Sequence, residues 1–285
     1  MKSLSAKTAL VTGGASGIGL AFAKACIANG MQVLVLDRDD IKLGEILKDP
    51  LLKDKPVKIL QCDITNDADL ARAEKFAREE FGSINLLINN AGVFSKGGVG
   101  NLSLADWRRV IDINVLGAIA CVETFLSHLR ENSGDAHIVN VASVAGHAGF
   151  SGLAAYCTTK HALVGYTESL HHELKPQGIG VSALCPGFVN TDILTNQISG
   201  SGNDVELQKA ISHGMSADTV AAFALEQVMR GALYIFTHPG TENEVMERTP
   251  LLQSAFTLTR SSDLINGEPD AQRQASRKNT EHLQN

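Results

Sequence analysis

The sequence lacks both a cluster of basic residues and an apolar run long enough to span a membrane. It has 25 lysines and arginines against 31 acidic residues, which gives a formal net charge of −6. Nucleic-acid binding requires a basic surface that neutralises phosphates, so no nucleic-acid partner is expected. A membrane helix needs about 18 or more apolar residues in succession, so no membrane association is expected.

No secretory signal peptide is expected either. Residues 1–7 contain neither an apolar signal core nor a small-residue cleavage site. We therefore expect a cytoplasmic protein. Its 285 residues, 44% of them hydrophobic, are enough for one large α/β domain with a sizeable core.

Paired cysteines and metal-ligand spacings are absent as well. The five cysteines form no Cys-x-x-Cys motif, and the nine histidines show no ligand spacing, with His171 and His172 directly adjacent. No metal site is expected, and buried free thiols are the simplest interpretation. Cys157 follows Tyr156, so a nucleophilic role is the alternative, but no partner histidine can be identified for it.

Several glycines follow the first predicted strand. The apolar run Thr8–Thr12 favours a strand, and the loop that follows contains Gly13, Gly17 and Gly19 before apolar residues recur at helical spacing. Such glycines let backbone N–H groups approach a pyrophosphate at the positive end of a helix. An ordinary glycine-rich turn would have the same composition, but the position between the first strand and the first helix favours a nucleotide site.

The end of the second strand-forming run indicates which nucleotide binds. Asp37 lies eighteen residues after Gly19, close to the interval of about 20 residues at which an acid accepts hydrogen bonds from the adenosine ribose. A carboxylate there would repel the 2′-phosphate of NADP, so NAD is the expected cofactor. Arg38 could pair with that phosphate, which leaves NADP as the less favoured alternative.

The rest of the chain continues to alternate strands and helices. Further strands are predicted at 57–60, 84–88, 137–141, 180–184 and 232–236. Helices are predicted at about 40–48, 67–81 and 103–130, around Tyr156 up to Pro176, and from Ser216 to Gly231. Asn114 lies within the long apolar helix 103–130, where its helix propensity is poor.

Three residues near the fifth strand have the chemistry of proton transfer. Ser143 ends that strand, and Tyr156 and Lys160 are four positions apart, which places them on one face of a helix. Hydride transfer between an alcohol and a nicotinamide needs a group that moves the oxygen's proton. Lys160 and the oxidised nicotinamide would lower the pKa of the Tyr156 phenol, and Ser143 would donate to the substrate oxygen. A tyrosine and a lysine one turn apart can also occur by chance on a surface helix. That interpretation is less favoured here, because Ser143 ends a buried strand and open α/β sheets bind their ligands at strand ends.

These motifs, in this order, resemble those of the short-chain dehydrogenase/reductase family. The resemblance covers roughly residues 5–235 and rests on these segments: the loop 12–19, Asp63, Asn89-Asn90-Ala91-Gly92, Asn114, Ser143, Tyr156-x-x-x-Lys160 and Pro186-Gly187. It implies a Rossmann-type doubly wound sheet of about seven parallel strands in a three-layer α/β/α arrangement. It also implies a catalytic tetrad of Asn114, Ser143, Tyr156 and Lys160, in which Asn114 holds a water that links Lys160 to solvent.

The resemblance further implies a set of cofactor contacts. Asp63 would contact the adenine, Asn90 the nearby cofactor wall, and Val189 and Thr191 the nicotinamide amide. The full expected set comprises Gly13, Ser16, Gly17, Ile18, Gly19, Asp37, Arg38, Asp63, Ile64, Asn90, Ala91, Gly92, Tyr156, Lys160, Pro186, Gly187, Val189 and Thr191.

The sequence predicts less about the substrate pocket than about the cofactor site. Phe94, Val144, His147 and Phe150 are expected to line a largely apolar pocket, which favours a hydrophobic, cyclic or aromatic alcohol or ketone. Residues of about 190–214 are expected to form a lid, although a variable surface loop is compatible with the same composition. His147 could equally be a loop histidine with no substrate contact.

The C-terminal region departs from the family pattern. After the strand 232–236 come Thr237-His238-Pro239-Gly240 and an extra helical segment at about 241–258, so the single domain is expected to extend over 1–260. Residues 261–285 have few large apolar side chains and are expected to be disordered. A homodimer built on the helices around Asn114 and Tyr156 is the expected assembly, with a tetramer as the alternative.

The sequence thus predicts an NAD-dependent oxidoreductase that interconverts a secondary alcohol and a ketone, with Tyr156 as acid/base. Two alternatives stay open. One is an NADPH-dependent carbonyl reductase that uses Arg38, and the other is a nucleotide-binding scaffold without catalysis.

Overall fold

The computed structural model describes residues 1, 3–198 and 205–262. These belong to two compact units that divide after Thr241. The strands are β1 Thr8–Thr12, β2 Gln32–Asp37, β3 Val57–Gln61, β4 Leu86–Asn89, β5 Ala136–Val141, β6 Ile179–Cys185, β7 Val189–Asn190, β8 Met215–Ser216 and β9 Tyr234–Phe236. The helices are α1 Gly17–Ala28, α2 Asp40–Ile46, α3 Asp67–Phe81, α4 Leu104–Ile111, α5 Gly117–Glu131, α6 Ala154–Leu174, α7 Val205–Ser212, α8 Ala217–Arg230, α9 Glu242–Met246 and α10 Arg248–Arg260.

Seven of the strands form one parallel sheet in the order β3-β2-β1-β4-β5-β6-β9. Helices cover both faces, because successive residues of a strand point to opposite sides of the sheet. Val11 of β1 belongs to the core beneath α1 and α8, and its neighbour Leu10 belongs to the core beneath α3, α5 and α6. The predicted three-layer Rossmann-type fold is confirmed. Strand order reverses between β1 and β4, which is where such sheets bind ligands.

The helix boundaries follow from local signals in the sequence. Ser216 caps α8 by accepting a hydrogen bond from the Thr219 N–H, and α8 ends at Gly231 with φ of +72°. Gly82 ends α3 with φ of +73°. Glycine tolerates this left-handed region at low cost. The predicted ends of both helices are confirmed.

The long helix predicted over 103–130 is continuous but not uniformly α-helical. Between α4 and α5 the segment Asp112–Leu116 is a π-helix, in which the Gly117 N–H donates to the Asp112 carbonyl. Asn114 occupies the middle of this wider turn. Single π-turns of this kind are frequent at functional sites, and the local irregularity agrees with the poor helix propensity of an interior asparagine.

By length and composition, Leu104–Glu131 could cross a membrane, and it is the one such helix in the part of the chain that the structure describes. It is not an unbroken apolar run, because Asp112 and Glu123 are among its residues. The inner face of this helix packs on the sheet, with Cys121, Val122, Phe125 and Leu129 fully buried. Its apolar composition is thus used in the core between the helix and strands β4 and β5.

The predicted lid contains short regular elements. β7 and β8 pair in parallel with Val189 opposite Met215, and α7 lies between them in sequence. Residues 199–204 of the lid and 263–285 of the expected tail lie outside the described residues. The predicted C-terminal helical segment is present as α9 and α10, whereas the expected domain end at residue 260 stays a prediction.

We expect Phe125→Ala to lower the free energy of unfolding by about 3–5 kcal/mol, because it opens a cavity among fully buried residues. Urea denaturation measures the loss. Ile41→Ala is the control, since Ile41 is 73% exposed on α2, and it should change stability by less than about 0.5 kcal/mol. Equal losses in the two variants would contradict the assignment of α5 as a core helix.

Candidate active site

The loop between β1 and α1 and the first turn of α1 are so closely packed that Gly13 and Gly19 cannot be replaced without movement. A Cβ on Gly13, whose φ is +58°, would lie 2.7 Å from the Ala91 Cα. A Cβ on Gly19 would lie 2.5 Å from the Asn90 Nδ2 and even closer to the Gly13 carbonyl oxygen. The loop is therefore held against the segment that follows β4, at the point where strand order reverses.

Asn90 and Thr12 join these two segments by hydrogen bonds. The Asn90 Nδ2 donates to the Thr12 oxygen at 3.0 Å and to the Gly13 oxygen at 2.9 Å. The Thr12 Oγ1 accepts from the Asn90 N–H and the Ala91 N–H at 3.0 and 3.1 Å. Thr12 was not among the predicted site residues, although its place between β1 and the first glycine was a usable signal.

The start of α1 suits an anionic group. Ser16 is the N-cap residue but makes no side-chain capping bond, and the first turn contains no acidic residue. The positive end of the helix is therefore not neutralised locally. A Cβ on Gly17, whose φ is +53°, would lie 3.2 Å from the Thr191 Cγ2, so this turn faces the start of the lid. Ile18 packs against the core and fixes the first turn.

The predicted adenosine contacts lie at the ends of β2 and β3. The Asp37 Oδ2 accepts from the Ala15 N–H at 3.0 Å, and its Oδ1 accepts from the Asp39 N–H at 3.1 Å. The carboxylate thus adjoins the glycine loop. Arg38 is exposed, and no hydrogen bond or ion pair of its guanidinium occurs among the residues that the structure describes.

Asp63 and Ile64 follow β3 on the same edge of the sheet. The Asp63 Oδ1 accepts from the N–H and the hydroxyl of Thr65 at 2.9 and 2.7 Å. Ile64 is buried, and a Cβ on Gly117 would lie 2.6 Å from its Cδ1. These contacts hold the loop after β3 against the start of α5.

The loop after β6 lies beside Ser143. The Ser143 Oγ is 3.4 Å from the Pro186 oxygen, which also accepts from the Val144 N–H at 3.0 Å. Val189 is buried in the same core as the first turn of α1. The predicted cofactor residues Pro186, Gly187, Val189 and Thr191 therefore lie between Ser143 and the start of α1.

Tyr156 and Lys160 lie on one face of α6, as their spacing predicts. The Lys160 Nζ is 5.6 Å from the centre of the Tyr156 ring and donates to the Val141 oxygen at 2.8 Å. Both side chains are buried. The Ser143 Oγ accepts from the Ala145 N–H at 3.1 Å, which fixes the serine at the end of β5.

Burial dominates the acid–base properties of this pair. It raises the pKa of Tyr156 to about 12, which a hydrogen bond with Ser143 partly opposes. It also lowers the pKa of Lys160 to about 8, an effect that the Cys185 thiol opposes. In the cofactor-free chain the net shift of the Tyr156 pKa is therefore upward, because desolvation disfavours the phenolate more strongly than its neighbours stabilise it. The lowering expected from Lys160 together with the oxidised nicotinamide stays a prediction.

Asn114 acts as a connector. Its Oδ1 accepts from the Val93 N–H at 2.8 Å, and its Nδ2 donates to the Val93 oxygen at 2.9 Å and to the Thr159 Oγ1 at 3.1 Å. The side chain therefore joins the segment after β4 to α6, next to Tyr156. A Cβ on Gly92 would lie 3.2 Å from the Asn114 Oδ1 and 3.8 Å from the Lys160 Nζ, so the lysine adjoins this junction.

The predicted pocket residues take different positions. Phe94 is buried with its ring centre 5.0 Å from that of Tyr156. Val144 is buried and Phe150 is 38% exposed. The His147 Nε2 lies 3.3 Å from the Cys185 Sγ, and its ring packs against Tyr234 and Phe236 of β9. These described contacts of His147 are with β6 and β9, the last two strands at one edge of the sheet.

Comparisons with known proteins agree with this geometry. The sequence profile described as short chain dehydrogenase matches residues 7–201. The chain is 30% identical over 258 residues to a CLA biosynthesis dehydrogenase/reductase of Lactiplantibacillus plantarum, which covers 84% of this chain and 90% of the relative. It is 35% identical over 199 residues to 2-(S)-hydroxypropyl-CoM dehydrogenase 3 of Xanthobacter autotrophicus, over 70% of this chain and 77% of the relative.

Among solved structures, a short chain dehydrogenase/reductase from Burkholderia phymatum in complex with NAD superposes with a TM-score of 0.84. It is 32% identical in sequence, and the match covers 90% of this chain and 97% of that one. The fold, the site residues and the relatives all agree, and the family profile matches more than two thirds of the chain. The chain therefore belongs to the short-chain dehydrogenase/reductase family of oxidoreductases.

Proposed function

We propose that the protein interconverts a secondary alcohol and a ketone with NAD as cofactor. The observation that carries this proposal is the convergence of Ser143, Tyr156 and Lys160 at the carboxyl end of β5, beside the glycine loop. The glycine cradle and the uncompensated start of α1 fit a dinucleotide pyrophosphate. When bound, the nicotinamide would accept or supply the hydride.

Residues of the chain would transfer the proton to and from the substrate oxygen. In the oxidation direction, Tyr156 as phenolate would take the alcohol proton while Ser143 donates a hydrogen bond to the substrate oxygen. In the reduction direction, the neutral phenol would donate that proton to the carbonyl oxygen. Lys160 would stabilise the phenolate electrostatically, and Asn114 would keep α6 aligned with the segment after β4.

A hydrophobic substrate is supported by the surroundings of Tyr156. Phe94, Ala145, Tyr156 and Cys157 form a buried cluster, and Leu153, Ile193, Leu194 and Leu207 pack against it. Ile193, Leu194 and Leu207 belong to the predicted lid. A lid whose apolar residues already contact the tyrosine would exclude water from the reacting centre, so we propose an apolar cyclic or aromatic alcohol or ketone.

NAD rather than NADP is supported by the position of Asp37. Its carboxylate accepts two backbone hydrogen bonds and therefore stays at the end of β2, where it would repel a ribose 2′-phosphate. The NAD complex of the Burkholderia phymatum protein is consistent with this preference.

We expect Tyr156→Phe to reduce turnover by about 100-fold or more, because the proton-transfer group is removed. NADH affinity, measured by fluorescence titration, should change by less than about threefold, since the phenol makes few of the cofactor contacts. Tyr166→Phe is the matched control: it lies on the same helix, and its buried hydroxyl has no hydrogen-bond partner in the described structure. Full activity in Tyr156→Phe would contradict the mechanism.

The two directions should respond oppositely to pH. Since burial raises the pKa of Tyr156, only a small fraction is phenolate at neutral pH, and this fraction rises about tenfold per pH unit below the pKa. We expect kcat/KM for alcohol oxidation to rise with pH between about 6 and 9, whereas ketone reduction, which uses the neutral phenol, stays level. A flat oxidation profile would argue against Tyr156 as the base.

We expect wild-type protein to bind NADH more tightly than NADPH, and Asp37→Asn to strengthen NADPH binding about tenfold by removing the repulsion while keeping an acceptor oxygen. Asp40→Asn, a neighbouring charge change on α2, is the control and should have little effect. Dissociation constants for both cofactors provide the measurement. Tighter NADPH binding by the wild-type protein would favour the carbonyl reductase that uses Arg38.

A further inference from the structure

The imidazole of His238 contacts the loop that follows β6. Its Nδ1 is 3.0 Å from the Gly187 N–H nitrogen, and its Nε2 is 2.9 Å from the Phe188 oxygen. His238 comes two residues after β9, in the turn Thr237-His238-Pro239-Gly240. The two ring nitrogens therefore form hydrogen bonds with two consecutive residues of one loop.

These contacts define the state of the imidazole. A backbone N–H can only donate, so Nδ1 must be the unprotonated acceptor for Gly187. Nε2 must then carry the hydrogen that reaches the Phe188 carbonyl. The Thr237 Oγ1 lies 2.8 Å from Nδ1, where its hydroxyl can donate to the same acceptor. Neutral His238 with hydrogen on Nε2 satisfies all three contacts.

The same loop is also connected to the far end of the lid. The Phe188 oxygen accepts from the Met215 N–H at 3.0 Å, where β8 begins beside β7. A Cβ on Gly187 would lie 3.0 Å from the His238 Cγ, so the ring lies directly against the glycine backbone. The Phe188 oxygen thus accepts from both His238 and Met215, so the loop after β6 links the turn after β9 to the start of β8.

We propose that His238 is a positioning residue that fixes the Gly187–Val189 backbone against the nicotinamide half of the cofactor. This inference rests on the proposed function and on the expected contact of Val189 and Thr191 with the nicotinamide amide. The two hydrogen bonds hold the peptide groups on either side of the Gly187–Phe188 peptide, so they restrict rotation of the loop between them. The ring need not touch the cofactor to exert this effect.

The position of the contacts argues for a local rather than a global role. His238 binds the loop that runs from Pro186 to Thr191. At one end of this loop the Pro186 oxygen lies beside the Ser143 hydroxyl, and at the other end the Thr191 side chain adjoins Gly17. The adenosine side at Asp37 makes its bonds to the glycine loop and α2. Loss of the imidazole should therefore affect the nicotinamide half of the site selectively.

Binding of NADH and of ADP-ribose, which lacks the nicotinamide, separates the two halves. We expect His238→Ala to weaken NADH binding about tenfold, on the scale of one or two lost hydrogen bonds, and ADP-ribose binding by less than about twofold. His238→Asn retains an acceptor near the Nδ1 position, so NADH affinity should return to within about threefold of wild type. Calorimetric titration measures both ligands.

Thr241→Val is the control for general damage to the turn, because the Thr241 hydroxyl donates to the His238 main-chain oxygen at 2.7 Å and leaves the imidazole unaltered. It should retain wild-type affinity for both ligands. Equal weakening of NADH and ADP-ribose binding in His238→Ala, or no change in either, would overturn the inference.

Amide hydrogen exchange tests the loop without any cofactor. In His238→Ala, exchange at Gly187 and Met215 should accelerate about tenfold or more relative to wild type, while exchange in β1 stays unchanged. Unaltered protection at Gly187 would overturn the inference even in a protein with full activity. If wild-type protein binds no NADH, the proposed function and the nicotinamide role both fail, whereas the exchange measurement still decides whether His238 holds this loop.

Discussion

The site depends on the removal of a tyrosine and a lysine from water. Both side chains are buried on α6, and burial favours the neutral phenol of Tyr156 and the neutral amine of Lys160. Such a pair is costly to bury unless its environment is fixed. The Val141 carbonyl provides one fixed partner for Lys160, and the end of β5 holds Ser143 on the other side.

Polar side chains connect the loops around this buried pair. Asn90 joins the glycine loop to the segment after β4, Asn114 joins that segment to α6, and His238 joins the loop after β6 to the turn after β9. Strand ladders end at the carboxyl edge of the sheet, so the backbone groups beyond them need other partners. Amides and an imidazole, which donate and accept at once, fill that need.

The family fixes the reaction class and leaves the substrate open. The two relatives compared above carry names that refer to different substrates, although both are dehydrogenases. In this chain Ser143 follows β5 and Tyr156 and Lys160 lie on α6, whereas Phe94, Leu194 and Leu207 come from a loop and the predicted lid. Loops can change without disturbing the sheet, so substrate choice varies while the proton-transfer groups stay in place.

Local patterns in the sequence were sufficient for the positions of most strands and helices along the chain, the helix ends at Gly82 and Gly231, and the placement of Tyr156 and Lys160 on one helix face. Each depends on interactions within a few residues or on the alternation of strands and helices. The connections made by Thr12, Asn114 and His238 could not be predicted, because their partners are tens of residues away in the chain and meet only when the sheet forms. The upward shift of the Tyr156 pKa in the cofactor-free chain was not predicted, for the same reason. Neighbouring charges can be read from spacing, whereas desolvation depends on how completely the tertiary structure excludes water.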